Sequence, residues 1–138
     1  MNDFLKKVKK EISSTIAIDF DGVIHRNSKG YHDGTLYDFP VEGAAEALKL
    51  LSKKYTLIIY TCKANPERPL TNGKTGVELI WEWLDKYNLK QYISNITDKK
   101  PRAAVYIEDK AIRFESWDKT LRSINKFCKN ITKDISKF

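Results

Sequence analysis

Several things are scarce or missing in this chain, and each absence narrows what it does. Cysteine occurs twice, as Cys62 and Cys128, so no disulfide framework is implied. No apolar run approaches the roughly 18 residues that cross a bilayer. The longest, residues 56–60 with their neighbours, falls far short, and no membrane insertion is expected. The start, Met1-Asn2-Asp3-Phe4-Leu5-Lys6-Lys7, has basic residues but no apolar stretch after them, so it does not read as a signal peptide. Repeats and low-complexity tracts are absent. At 138 residues the chain holds about one domain's worth, too little for a multi-domain enzyme. The expectation is a soluble, cytoplasmic single domain over residues 1–138.

Hydrophobic residues make up 41% and charged residues 31%, enough apolar material for a packed core. A chain of this size buries roughly two-thirds of its extended surface without disulfides or metals. Basic residues number 25 against 18 acidic ones, a net charge of +7 that favours anionic partners such as nucleotides, nucleic acid or acidic surfaces. More than half of that excess lies in the two terminal segments, where it reads first as solvated helix faces and second as a binding patch.

Phe4, Leu5, Val8 and Ile12 fall at helical spacing and predict an N-terminal helix over 1–13, interrupted at Ser13-Ser14. Residues 15–20 are β-branched and apolar and end at Asp19-Phe20-Asp21-Gly22, the look of a strand buried on both faces followed by a tight turn. Residues 23–40 read as a loop with a short hairpin, 44–54 as a helix, 56–61 as a second buried strand and 65–74 as a loop. Val77, Ile80, Trp81 and Leu84 set a helical stripe, with Trp81 toward the core and Trp83 beside it. Residues 92–97 and 103–108 read as third and fourth strands. A long amphipathic helix over 117–138, anchored by Trp117, is expected to pack back on the sheet. The pattern is that of an α/β domain with a mostly parallel central sheet, in a Rossmann-like three-layer sandwich.

In such sheets ligands bind outside the carboxyl ends of the strands. The polar residues ending three apolar strands are Asp19 and Asp21, Thr61, and Glu108 and Asp109. If those strands are neighbours, four carboxylates and a hydroxyl converge on one crevice. Such crowded acids repel one another unless a cation intervenes. An all-oxygen set suits Mg²⁺, whereas the later ligands of a calcium loop do not follow Asp21. Lys99-Lys100-Pro101 precedes the fourth strand, where an ammonium can reach the same crevice. One hydroxyl, one lysine and magnesium are what a phosphoryl group needs during in-line displacement. An aspartate can be the nucleophile, and a second carboxylic acid the proton donor and acceptor.

Together, Ile16-Ala17-Ile18-Asp19-Phe20-Asp21-Gly22-Val23, Thr61, Lys99-Lys100-Pro101 and Val105-Tyr106-Ile107-Glu108-Asp109-Lys110 resemble, in order, the four motifs of the haloacid dehalogenase-like superfamily. The resemblance spans residues 15–110, the expected catalytic core. It implies Asp19 as nucleophile and magnesium ligand. Asp21 would be general acid/base, with its backbone carbonyl on the metal, and Thr61 the phosphoryl-binding hydroxyl. It implies Lys100, with Lys99 as the alternative, as phosphate-binding lysine, Asp109 as a direct metal ligand, and Glu108 as a ligand through water or a neighbour of the ligands. Val23 and Glu108 depart from the commoner threonine and aspartate. Neither gap between motifs is large enough for a folded cap, so the member implied is a small capless one with an open site, sometimes covered by a neighbouring subunit.

Further candidates lie around these motifs. His25, Arg26, Tyr31 and His32 follow the nucleophile strand, and read either as leaving-group contacts or as solvated loop polarity. Lys63 stands just beyond Thr61 as a phosphate contact, and Arg68 lies in the next loop. Cys62 has no evident histidine partner for thiol chemistry. The reading is a Mg²⁺-dependent phosphomonoester hydrolase acting through an aspartyl-phosphate on a nucleotide, a nucleic-acid end or another accessible phosphate. Its rival is a nucleic-acid or partner-binding module with a vestigial site. A receiver-like phosphate acceptor ranks third, because Thr61 stands where its aspartate belongs.

Overall fold

A computed structural model describes residues 2–128. Within these residues four α-helices and four strands follow one another, alternating except where β4 comes directly after β3. They are α1 (Asp3–Ser14), β1 (Thr15–Ile18), α2 (Ala44–Ser52), β2 (Thr56–Tyr60), α3 (Gly76–Lys86), β3 (Asn95–Thr97), β4 (Val105–Ile107) and α4 (Trp117–Phe127). The sheet has the order β3-β2-β1-β4, and every pairing in it is parallel. All strands therefore end at one edge, and β1, which carries the acidic turn, is flanked by β2 and β4.

β1 is buried along its whole length, as an apolar β-branched strand in the middle of a parallel sheet requires. Leu57 and Ile59 of β2 are fully buried and pack with Ile80 and Leu84 of α3. Helix α3 begins at a reciprocal capping box: Thr75 Oγ1 accepts from the Glu78 amide, and the Glu78 carboxylate accepts from the Thr75 amide.

Several boundaries and faces depart from expectation. Ser13 and Ser14 do not interrupt α1 but form its last turn, where both hydroxyls donate back to the Lys10 carbonyl in place of competing for other backbone groups. Trp83, not Trp81, joins the core, because its indole N–H reaches the Asp38 carbonyl at 3.0 Å and its ring packs against Phe20 and His25. β4 is short, and all three of its residues are exposed. Within its described span α4 buries no residue, and Trp117 is exposed instead of anchoring the helix. Residues 129–138 of the expected long helix, with Ile131 and Ile135, lie outside the described residues. No described helix is long and apolar enough to cross a membrane.

Between β1 and α2 the chain forms no helix or strand. It is tied down by single bridges, His25 pairing with both Asp21 and Pro40, so the short hairpin expected there is reduced to a pinched loop. Between β2 and α3 lie a 3₁₀ turn at Cys62–Ala64 and a tight turn closed by Thr71 and Lys74.

Candidate active site

β1, β2 and β4 deliver their carboxyl-terminal residues to one open cleft of about 280 Å³. Asp19, Asp21, Thr61, Lys63, Asp109 and Lys110 line it, together with Asn27, Tyr31, Cys62 and Arg68. Asp19 and Thr61 are placed by sheet hydrogen bonding carried one residue past the strands: the Asp19 amide donates to Ile107 O and the Thr61 amide to Thr97 O, both at 2.9 Å. The backbone of the turn after β1 calls for glycine at position 22, and the Asp109 carboxylate lies close above it. The φ of Gly22 is +82°, and a Cβ there would stand 2.4 Å from Asp109 Oδ2. Asp109, distant in sequence, thus lies against Gly22 of the turn that follows Asp19.

The two carboxylates interact directly. Burial pushes the Asp19 carboxyl up to about 6, a hydrogen bond from the Phe20 amide opposes the rise, and the Asp109 and Asp21 carboxylates add to it. Asp21 is shifted the other way. Burial works against its ionised form, but a hydrogen bond from His25 and the Lys63 ammonium outweigh it and hold the carboxyl below its usual range. The distances are 2.8 Å from His25 Nδ1 to Asp21 Oδ1 and 3.2 Å from Lys63 Nζ to Asp21 Oδ2.

His25 is fully buried, so neither sequence reading of it, as a leaving-group contact or as solvated polarity, describes its place. Its Nε2 accepts from the Asp38 amide at 3.1 Å. That bond puts the ring proton on Nδ1, where it is donated to Asp21. Phe20 stacks on the ring, while Trp83 and Tyr37 meet it edge-on. The imidazole therefore orients Asp21 from behind and has no access to substrate.

Thr61 is buried, and its hydroxyl oxygen accepts from the Lys63 amide at 3.2 Å, which leaves the hydroxyl hydrogen free to donate into the cleft. Lys63 is fixed from below by Gly76, where a Cβ would overlap the Lys63 carbonyl oxygen at 1.8 Å. The close approach of α3 to the 3₁₀ turn thus requires glycine.

The two lysines expected to hold phosphate do not line the cleft. Lys100 Nζ sits 4.6 Å from the centre of the Tyr106 ring, whose hydroxyl donates to Pro101 O, and Lys99 is exposed. Lys63, also expected as a phosphate contact, does line the cleft, together with Lys110. Glu108 is exposed and outside it. The sequence motifs contain Lys110 without marking it out. Gly76 and Asp38 carry no local signal, because their roles are set by residues far along the chain.

Among the described residues no three His, Cys, Asp or Glu side chains form a metal-binding group. The donors that remain for a hard cation are the Asp19–Asp109 carboxylate pair and the Asp21 backbone carbonyl, which accepts no hydrogen bond among the described residues. One or two carboxylates completed by water is a set that magnesium accepts, and a cation would relieve the crowding that raises Asp19. The chain matches no family model, no curated protein and no solved structure.

Proposed function

We propose that this cleft hydrolyses phosphomonoesters through a phosphorylated Asp19, in a small capless Rossmann-like domain of the haloacid dehalogenase-like kind. The observation that carries the reading is the pair Asp19 and Asp109 in one cleft with Thr61 and Lys63, carboxylates of opposite pKa shift standing side by side at positions 19 and 21. Two acids pushed apart in this way are suited to different parts of one reaction.

At neutral pH Asp19 is mostly ionised. Its carboxylate oxygen attacks phosphorus while the Thr61 hydroxyl and the Lys63 ammonium hold the phosphoryl oxygens. The bond from phosphorus to the leaving oxygen breaks, and that oxygen takes a proton from Asp21. Asp21 is held ionised in the free protein. A phosphoryl dianion that draws Lys63 away removes one cause of that shift and adds negative charge nearby, and both changes favour protonation. In the second half Asp21 takes a proton from water, the water oxygen attacks phosphorus, and inorganic phosphate leaves with Asp19 restored. Magnesium, held by Asp19, Asp109 and the Asp21 carbonyl, would supply charge neutralisation at the phosphoryl oxygens.

Turnover of an aryl phosphate by the full chain tests the reading: chelation by EDTA and Asp19→Asn should each abolish it. Magnesium should raise the melting temperature of the wild type and not that of Asp109→Asn. Activity that survives both treatments would exclude the mechanism. Salt-sensitive retention on nucleic acid with no hydrolysis of any ester would select the binding-module reading.

A further inference from the structure

A second cavity, of about 210 Å³, opens beside the first and shares Tyr31, Lys63 and Arg68 with it. It is the more enclosed of the two. Three segments wall it: the loop around residues 31–36, the loop around 68–71, and the start of α3 at Gly76 and Leu79. The two loops meet at Gly34, where a Cβ would stand 2.8 Å from Thr71 Oγ1. The second loop is pinned by paired backbone bonds of 3.0 Å between Thr71 and Lys74. The lining is mixed, with slightly more polar than apolar surface, and Leu36, Pro69, Leu70 and Leu79 supply an apolar side against which a flat ring can lie. Tyr31 adds a ring that is 83% exposed and available for stacking. The cavity also offers one carboxylate, Asp33, braced by the Thr35 amide at 2.9 Å.

Resting on the phosphatase reading above, we infer that this cavity receives the leaving group, and that the leaving group is a nucleoside. A nucleobase is flat, has a face for Tyr31 and an apolar body for the leucines, and carries ring N–H or amino donors for Asp33. Arg68, on the boundary between the cavities, is placed to reach the phosphate of the same molecule. The reaction is then nucleoside monophosphate plus water to nucleoside plus inorganic phosphate, the leaving oxygen being the sugar hydroxyl. A polynucleotide fits this pocket poorly, since its chain must continue past the walls that enclose the first base.

The test compares nucleoside monophosphates, a hexose phosphate, an end-phosphorylated oligonucleotide and para-nitrophenyl phosphate as substrates of the full chain with Mg²⁺. Calorimetry of nucleoside monophosphate binding to Asp19→Asn runs beside it. Nucleoside monophosphates should exceed the hexose phosphate and the oligonucleotide in kcat/KM by at least about ten-fold. Tyr31→Ala and Leu70→Asp should each lower the ratio of nucleotide to aryl-phosphate kcat/KM by about ten-fold, the scale of one base–aromatic stack. Aryl-phosphate turnover with no nucleotide preference, or with a ratio unmoved in both variants, overturns the nucleoside assignment and leaves the phosphatase reading standing. Nucleotide binding without turnover of any ester, weakened in the Tyr31 variant, upholds the pocket and overturns the phosphatase reading. Neither binding nor turnover overturns both.

Discussion

The two sides of β1 are built differently. Toward β2 and β3 the sheet is covered by tight packing: Leu57, Ile59, Ile80 and Leu84 are fully buried, and Trp83 locks α3 to the Asp38 loop. Toward β4 the cover provided by the described residues is thin. Val105, Tyr106 and Ile107 are 46%, 36% and 38% exposed, neither α1 nor α4 buries a residue, and Phe114, Trp117 and Phe127 are exposed. Thr120 Oγ1 and Asn125 Oδ1 on α4 are covered yet have no hydrogen-bond partner among the described residues. The candidate site straddles this divide. Thr61 and Lys63 come from the well-packed side, Asp109 and Lys110 from the thin one, and Asp19 and Asp21 from the strand between. In the proposed mechanism, grip on a phosphoryl group would rest on the better-packed elements, and the second carboxylate of the cation pair on the element with least described support.

Variants sharpen that contrast. On the central strand, Asp19→Asn should have the largest effect and reduce turnover by at least about 10³-fold, as loss of a nucleophile does, while circular dichroism stays unchanged. Across the divide, Leu84→Ala should cost about 2–5 kcal/mol in urea unfolding, the range for a fully buried leucine. Ile107→Ala should cost less than half as much. Equal losses at the two positions would break the comparison. For the lysines, Lys63→Met should lower kcat/KM by about 10²-fold, the scale of one lost oxyanion donor. Lys100→Met, whose ammonium lies on Tyr106, should change it less than about two-fold on the same scale. A reversed order would return the phosphate-binding role to the loop before β4.

The smallest effect is a pH dependence confined to the well-packed side. Hydrogen bonds from Ser28, then from the Phe39 amide, hold the Asp38 carboxyl well below the usual carboxylate range. A folded-state pKa lower than the unfolded one adds stability above about pH 4, and that contribution is lost as pH falls further. The melting temperature of the wild type should therefore drop more steeply below about pH 4 than that of Asp38→Asn. Parallel curves would mean that the Asp38 bonds contribute nothing.

Much of the fold was legible because its cause is local. Apolar β-branched runs that stop at a polar residue mark strands, buried at β1 and exposed at β4, and the residues Asp19, Thr61 and Asp109 that follow them are the ones that meet. What local pattern does not carry is direction. Lys99 and Lys100 lie next to the site in sequence, yet the aromatic face of Tyr106, which turns Lys100 aside, belongs to the edge strand beyond them. The helical stripe placed Trp81 inward, but the partner that draws Trp83 in is a carbonyl 45 positions away. His25 looked like loop polarity because both partners of its ring are fixed by the fold. α4 and β4 read as core because amphipathic spacing shows which face is apolar without showing that anything covers it.

The central claim is that Asp19 becomes covalently phosphorylated during turnover. Acid-quenched mass spectrometry of the full chain, taken in the steady state with a phosphate ester and Mg²⁺, tests it directly. The account predicts an adduct of one phosphoryl group, mapped to Asp19 and absent from Asp19→Asn. A phosphoryl group on any other residue, or steady turnover with none on the protein, would contradict it.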